Sequence, residues 1–414
     1  MRTISLWAKV ISSLKSLSEV TLNPPETPRS FPTSGFTTID KETAVEEEEL
    51  PDYKAGRFYP VHLGQVFENR YQVVTKLGFG SSSTTWLARD LKARKYVALK
   101  VYVYTSLKPR EIPIYHQIIP RIRKSPLRGR DNIKRVYGSF HVTGPHGKHA
   151  ILVQEAAQMS IRDMRVAFKL DGFDEVFVKA AIIKLLEAVD FLHTEAEVIH
   201  TDIHPGNMLL GVRDNDLLQK LEQSEISSPV TRKPVSSDRT IYLSRLMRPD
   251  IGPMLLSDLG EARAGAGPHA VDIMPLEYRA PETLLYVGWS YPIDIWSVGL
   301  TAWDLLESNW LFTARDDDGE FYDAAHLAQL IAALGPPPPE FLKRNLERKA
   351  DFWDEHGKWL GLAPIPHDRT LENLETKLED KSGFLKFIRR TLTWLPEQRP
   401  SAKELLQDPW LGCS

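Results

Sequence analysis

Apolar and polar residues change their rhythm along this chain. Tyr71 to Leu77 and Thr84 to Ala88 read as strands flanking a Gly/Ser turn, and Tyr96 to Val103, rich in β-branched and aromatic residues, reads as a third. Ala150 to Gln154 is a later apolar run of strand type. Beyond about Ser160 the period lengthens. Val178, Ile182, Leu185, Leu186, Val189 and Leu192 recur every three or four positions, which lines one face of a helix over 176–192. Further helices are predicted at 293–307, 323–334, 340–350 and 382–393. Strands first and helices after predict an α+β chain or two lobes, one strand-rich and one helical. No internal repeat of fixed period is visible.

Three stretches depart from this pattern. Residues 19–50 hold Pro24, Pro25, Pro28 and Pro32 and read as a linker; the acid run Glu46 to Glu49 reads as a solvated stretch. Residues 213–250 are polar, with Ser227-Ser228-Pro229 and Lys233-Pro234, and read as a flexible surface insertion. Residues 1–18 carry Arg2, Lys9 and Lys15, no acid, and apolar residues at helical spacing. That start resembles a mitochondrial transit peptide; a disordered tail or a short docked helix fits the same residues. The expected division is therefore a tail and linker at 1–58, an N-terminal lobe at 59–158, and a C-terminal lobe at 159–414 interrupted by the polar insertion.

Composition narrows the function. The 414 residues, 42% of them hydrophobic, are enough for a large core. A net charge of −3 argues against a general nucleic-acid binder. The one cysteine, Cys413, allows neither an intramolecular disulfide nor a cysteine-based zinc site. A reducing compartment, cytoplasm or nucleus, fits, with the mitochondrion as the alternative that residues 1–18 leave open. No run is long and apolar enough to span a membrane, and a monomer is expected.

The candidate chemistry is phosphate handling. Leu77-Gly78-Phe79-Gly80-Ser81-Ser82-Ser83 lies between two predicted strands, and glycine lets backbone approach a phosphate closely. Two such glycines alone are a weak signal. The next strand carries Lys100 among apolar residues, in Val97-Ala98-Leu99-Lys100, and burying an ammonium demands an anionic partner. Phosphate oxygens and the Glu111 carboxylate are the candidates, although Pro113 argues against a regular helix at Glu111. His200-Thr201-Asp202-Ile203-His204-Pro205-Gly206-Asn207 places an asparagine five residues after an aspartate. Asp202 can take a hydroxyl proton and the Asn207 oxygen can hold Mg²⁺. In Ser257-Asp258-Leu259-Gly260, the Asp258 carboxylate can bridge Mg²⁺ to the phosphates of ATP.

In this order, these pieces resemble the eukaryotic protein kinase superfamily from about Tyr71 to Leu411. Ala280-Pro281-Glu282, Asp294-Ile295-Trp296-Ser297-Val298-Gly299 and Gln398-Arg399-Pro400 extend the likeness. The resemblance implies a two-lobed fold and ATP-dependent transfer of phosphate to protein hydroxyls. It implies that Leu77, Thr85, Ala98 and Leu209 sandwich adenine and that Glu155 to Ala157 form the hinge. Gly78, Gly80 and Ser83 would cover the phosphates; Tyr115, His200 and Leu259 would stack between lobes. Glu282 would pair with Arg399, and Asp294 would brace the catalytic loop.

The chain is most similar to the SR-protein kinases, whose substrates are serines in Arg/Ser-rich segments. That likeness rests on Arg57 to Gly64 before the first strand, on Ser83 in place of a third glycine, on Thr201 before Asp202, and on the insertion before Asp258. Two features imply freedom from activation-loop phosphorylation. Thr201 replaces the usual arginine, and no Ser, Thr or Tyr lies between Asp258 and Tyr278. Arg279 would hold the loop instead.

His204 stands where most protein kinases have lysine, and an imidazole is only partly charged at neutral pH. Slower transfer, or transfer favoured at lower pH, is expected. Two rivals remain at this level. The loop also resembles that of aminoglycoside- and choline-type kinases, and a pseudokinase acting as a binding module would tolerate Ser83 and His204. Asp316, Asp317, Asp318 and Glu320 form an acidic loop that fits either an Arg-rich peptide or plain solvent.

Overall fold

The computed structural model describes residues 24–106 and 109–412, so the amphipathic stretch at 1–18 lies outside the described residues. One antiparallel sheet contains β1 (Val66–Phe67), β2 (Tyr71–Gly80), β3 (Ser83–Asp90), β4 (Lys95–Tyr102), β5 (Val136–Gly144) and β6 (Gly147–Gln154), ordered β1-β2-β3-β4-β6-β5. The alternation along β4 decides what reaches the site. Val97, Leu99 and Val101 pack into an apolar cluster with Val73, Trp86 and Val153, while Ala98 and Lys100 face the other way, into a pocket. Helix α1 (Glu111–Lys124) lies between β4 and β5 in sequence and accepts both of its prolines. Pro113 sits in the first turn, where an N–H has no helical partner to lose, so the expected obstacle does not arise.

The helical lobe begins with β7 (Ala157–Ser160), α2 (Ile161–Ala167) and α3 (Glu175–Phe191). The short strands β8 (Val198–Ile199) and β9 (Met208–Gly211) flank the Asp202 loop. After them come α4 (Asp216–Ser227), the hairpin β10 (Arg232–Pro234) and β11 (Thr240–Tyr242), then β12 (Met254–Leu256) and β13 (Arg263–Ala264). Three longer helices follow: α5 (Pro292–Leu306), α6 (Asp323–Leu334) and α7 (Ser382–Thr391). Helix α5 is apolar on nearly all sides and correspondingly buried. Its Gly299 faces Thr391 so closely that a Cβ would lie 2.2 Å from the hydroxyl oxygen, so α5 and α7 can meet only at a glycine. The helix expected over 340–350 is instead two short ones, Pro339–Leu342 and Leu346–Ala350, because the Asn345 side chain caps the second by accepting from the Arg348 N–H.

Two expectations fail. The insertion at 213–250 is not a loose surface loop: Leu218 and Leu221 of α4 pack with Val74 and Leu87 of the sheet. The acid run is not solvated either, apart from Glu49, which is exposed. Glu46 lies 3.1 Å from the Lys76 ammonium, Glu47 pairs with the same ammonium, and Lys76 is 1% exposed. Glu48 binds Lys233 of β10 at 2.8 Å, and Glu46 accepts from the Ser244 N–H and hydroxyl. From the other side, buried Glu222 of α4 meets Arg29, and buried Glu225 meets Thr75 and Arg245. Residues 24–58 and the insertion thus answer each other's charges across β2. Composition made both look solvated because each half contains only part of the charge set.

Removing one member of a buried ion pair leaves the other unanswered, at a cost of about 3–5 kcal/mol. Lys76→Met is therefore expected to lower the urea midpoint substantially, and Lys76→Met/Glu47→Leu to recover most of the loss. Equal midpoints for Lys76→Met and the parent chain would remove the pair from the stabilising set.

Candidate active site

Lys100 is the electrostatic centre of the cleft. Its Nζ lies 2.9 Å from Glu111 Oε2 and 2.9 Å from Asp258 Oδ1, so α1 and the segment after β12 meet on one ammonium. Tyr102 also donates its hydroxyl to Glu111. Burial opposes the Lys100 charge, but the Asp258 and Glu111 carboxylates outweigh it and hold the ammonium well above its usual range. In return, the Lys100 charge pulls the Asp258 carboxyl down to about 2.

The Asp202 loop hangs from a second buried charge. Asp294 of α5 accepts from the His200 N–H, the Thr201 N–H and His193 Nε2, each at 2.8 Å. Thr201 is held in the left-handed region at φ 68°, as is Asp258 at φ 61°. The Thr201 hydroxyl donates to the Glu261 carbonyl at 2.8 Å, and β13 pairs with β8. These bonds order the start of the activation segment without a phosphate. Arg279 has its nearest carboxylate, Asp272, at 4.0 Å within the same segment. Farther into the helical lobe, Arg399 grips Glu282 with two bonds of 2.6 and 2.7 Å.

Asn207 completes the loop. Its amide nitrogen donates to the Asp202 carbonyl at 2.8 Å and carboxylate at 2.9 Å, which leaves its carbonyl oxygen for a cation. Asn207 and Asp258 offer oxygen donors only, which fits a hard divalent ion completing its shell with phosphate and water. His204 is less simply placed. The Gly206 N–H donates to its Nδ1 at 3.0 Å, so the ring proton is assigned to Nε2, 3.5 Å from Asp202 Oδ1.

A cavity of about 290 Å³ lies between the lobes. Of the residues expected in the site, Leu77, Gly78, Thr85, Ala98, Lys100, Ala157, Asn207, Leu209 and Asp258 line it. Glu111 stands behind Lys100. Gly80 and Ser83 pair to close the turn between β2 and β3 and do not line the cavity. Glu155 turns away, its N–H on the Arg135 carbonyl and its carboxylate on the Arg135 N–H. Asp202 and His204 sit at the cleft through Asn207 rather than in the cavity wall.

Sequence reasoning missed several wall residues, among them Lys134, Gln154, Gln158 and Met247. Met247 arrives on the return of the insertion, a strap across the cavity mouth. The Arg245 N–H is fastened to the Lys76 carbonyl on β2 at 2.9 Å, and the Asp250 N–H to the Gln158 side chain at 2.7 Å. No local signal marks Met247 in a polar stretch.

The protein kinase domain family matches residues 71–232 and 245–411. The chain belongs to the protein kinase family. A serine/threonine protein kinase of Aspergillus fumigatus is 40% identical to this kinase over 94% of the chain and 96% of the relative. The serine/threonine-protein kinase SRPK of Physarum polycephalum is 28% identical over 89% and 92%, and SRSF protein kinase 3 of Mus musculus 24% over 94% of each. A solved kinase domain superposes with a TM-score of 0.67 at 22% identity, covering 86% of this chain and 99% of that one, which shows the two-lobed fold. The kinase stands on the serine/threonine branch near the SR-protein kinases, and the small-molecule kinase and the pseudokinase are not favoured. Family membership brings ATP and a divalent metal as its general requirements.

Burial, and then repulsion by Lys100, push the Lys134 ammonium down to about 8. The charged form is the penalised one, so the cost is full below pH 8 and fades towards pH 10.5, where the unfolded chain also loses that proton. Lys134→Met is expected to stabilise the kinase at pH 7, by an amount on the order of 3 kcal/mol that shrinks at pH 10. Urea unfolding at both values checks this; a gain independent of pH would refute it.

Proposed function

We propose that this kinase transfers the γ-phosphate of ATP, with Mg²⁺, to serine hydroxyls in Arg/Ser-rich protein segments. In this reading Asp202 orients the acceptor hydroxyl and takes its proton as the oxygen–phosphorus bond forms and the bond to the ADP oxygen breaks. Lys100, positioned by Glu111, holds the phosphate chain. Asn207 and Asp258 hold the metal, which neutralises phosphate charge when bound. Leu77, Thr85, Ala98 and Leu209 grip the base, with Glu155 to Ala157 as the hinge.

The acidic loop supports the substrate class. Asp317, Asp318 and Glu320 are exposed, and none forms an ion pair among the described residues. The neighbouring Arg315 does not quench them, because it stacks over Phe321 at 3.7 Å and donates to the Gly319 carbonyl. Asp317 and Asp318 line a groove with Tyr322, Leu362 and Pro364, away from the nucleotide cavity. Unpaired carboxylates on a groove suit guanidinium side chains.

Asp317→Asn/Asp318→Asn/Glu320→Gln is expected to raise the KM for an Arg/Ser peptide about fivefold or more, with kcat within about twofold. An unchanged KM excludes the groove as the Arg-binding surface. Asp202→Asn, as control, should abolish peptide phosphorylation. Phosphatase treatment should leave activity intact, since Thr201 and Glu261 order the loop without phosphate. Loss of activity, with the removed phosphate mapped to Tyr278, the first hydroxyl residue after Asp258, would overturn that.

A further inference from the structure

His204 and Gly206 are linked through a third residue that no sequence motif marks. Arg162, at the start of α2, extends its guanidinium to His204 Nδ1 at 3.0 Å. The same nitrogen accepts the Gly206 N–H, so two donors converge on it. A Cβ on Gly206 would lie 3.0 Å from the Arg162 Cζ and 2.8 Å from His204 Cε1. Glycine at 206 leaves the space the guanidinium occupies. The other face of the histidine looks at Asp202 and Asn207.

The arginine is exposed and forms no ion pair among the described residues. Its charged surroundings are few. Arg165 is spent on the Asp304 carbonyl, and Glu277 and Asp304 line the adjoining cavity without pairing with it. Burial pushes the Asp304 carboxyl up to about 7, so that acid is a weak counter-charge at neutral pH. A guanidinium beside the Asp202 loop therefore has donors free for an anion.

We propose that Arg162 is a catalytic residue of the transfer step: its guanidinium meets the oxygens of the phosphoryl group in transit, supplying the positive charge that lysine at 204 would otherwise bring. His204 is then a positioning residue, holding the guanidinium by a neutral acceptor nitrogen, and Gly206 provides the room. The proton still goes from the acceptor hydroxyl to Asp202, and Arg162 exchanges none. Charge on an arginine does not depend on pH in the working range, so the histidine need not be a cation.

The test rests on the kinase reading but not on the Arg/Ser substrate. ADP release from Mg-ATP is measured for the full chain with no peptide, where water accepts the phosphoryl group, and again with an Arg/Ser peptide. Arg162→Gln is expected to lower kcat about 10²-fold in both assays, with the KM for ATP and the melting temperature little changed. Arg162→Lys should keep part of the rate, and His204→Lys added to Arg162→Gln should restore most of it. A rate for Arg162→Gln within threefold of the parent overturns the proposal. So does an equal loss in Arg162→Gln and Arg162→Gln/His204→Lys, which leaves the arginine a purely structural part. An effect confined to the KM of a pre-phosphorylated peptide also overturns it, because the guanidinium then serves a phosphate already on the substrate. Failure of the Arg/Ser reading looks different, as ADP release that the peptide does not stimulate.

Discussion

A lysine buried between two lobes must have its charge answered, and most of the cleft is arranged to answer that of Lys100. Alternation along β4 sends this side chain inward, beside Ala98 and away from the apolar cluster. Glu111 and Asp258 then have to be brought to it, each at 2.9 Å. That requirement sets where α1 lies against the sheet and how the chain leaves β12. Asp258 takes its place there on a left-handed backbone, at φ 61°.

The helical lobe solves a similar problem with the opposite sign. Asp294 is fully buried, and two backbone N–H groups and a histidine satisfy it. The Asp202 loop is consequently suspended from α5, whose own packing depends on Gly299 against Thr391. The Thr201 hydroxyl passes this order to the activation segment. A phosphate paired with arginine is one way to order such a segment; here a neutral hydrogen bond and a short strand pair do the same work with nothing to add or remove.

Around this frame the kinase places two features of its own. The insertion and residues 24–58 clasp β2 through buried carboxylates, and the return of the insertion runs across the nucleotide cavity from Lys76 to Gln158. At the other end of the cleft, cation and anion are separated. Arg162 stands by the Asp202 loop, while the unpaired acids lie on a separate groove. In the proposed reading of an Arg-rich substrate, docking and transfer fall to different surfaces.

The sequence by itself determined the two-lobed plan. Strand alternation, helical periodicity and the order of Lys100, Asp202, Asn207 and Asp258 are local properties, and helix 323–334 was legible to the residue. Local rules also explain what was misread nearby, since Pro113 is harmless only because the helix starts just before it. Only the tertiary structure decided the fate of charges. Glu46 to Glu48, Glu222 and Glu225 look like solvated residues until their partners, distant in sequence, come within hydrogen-bond reach. The same holds for Arg162 and Met247, which have no motif to mark them. A charge or an apolar side chain acquires its meaning from what faces it in space, and sequence order does not record that.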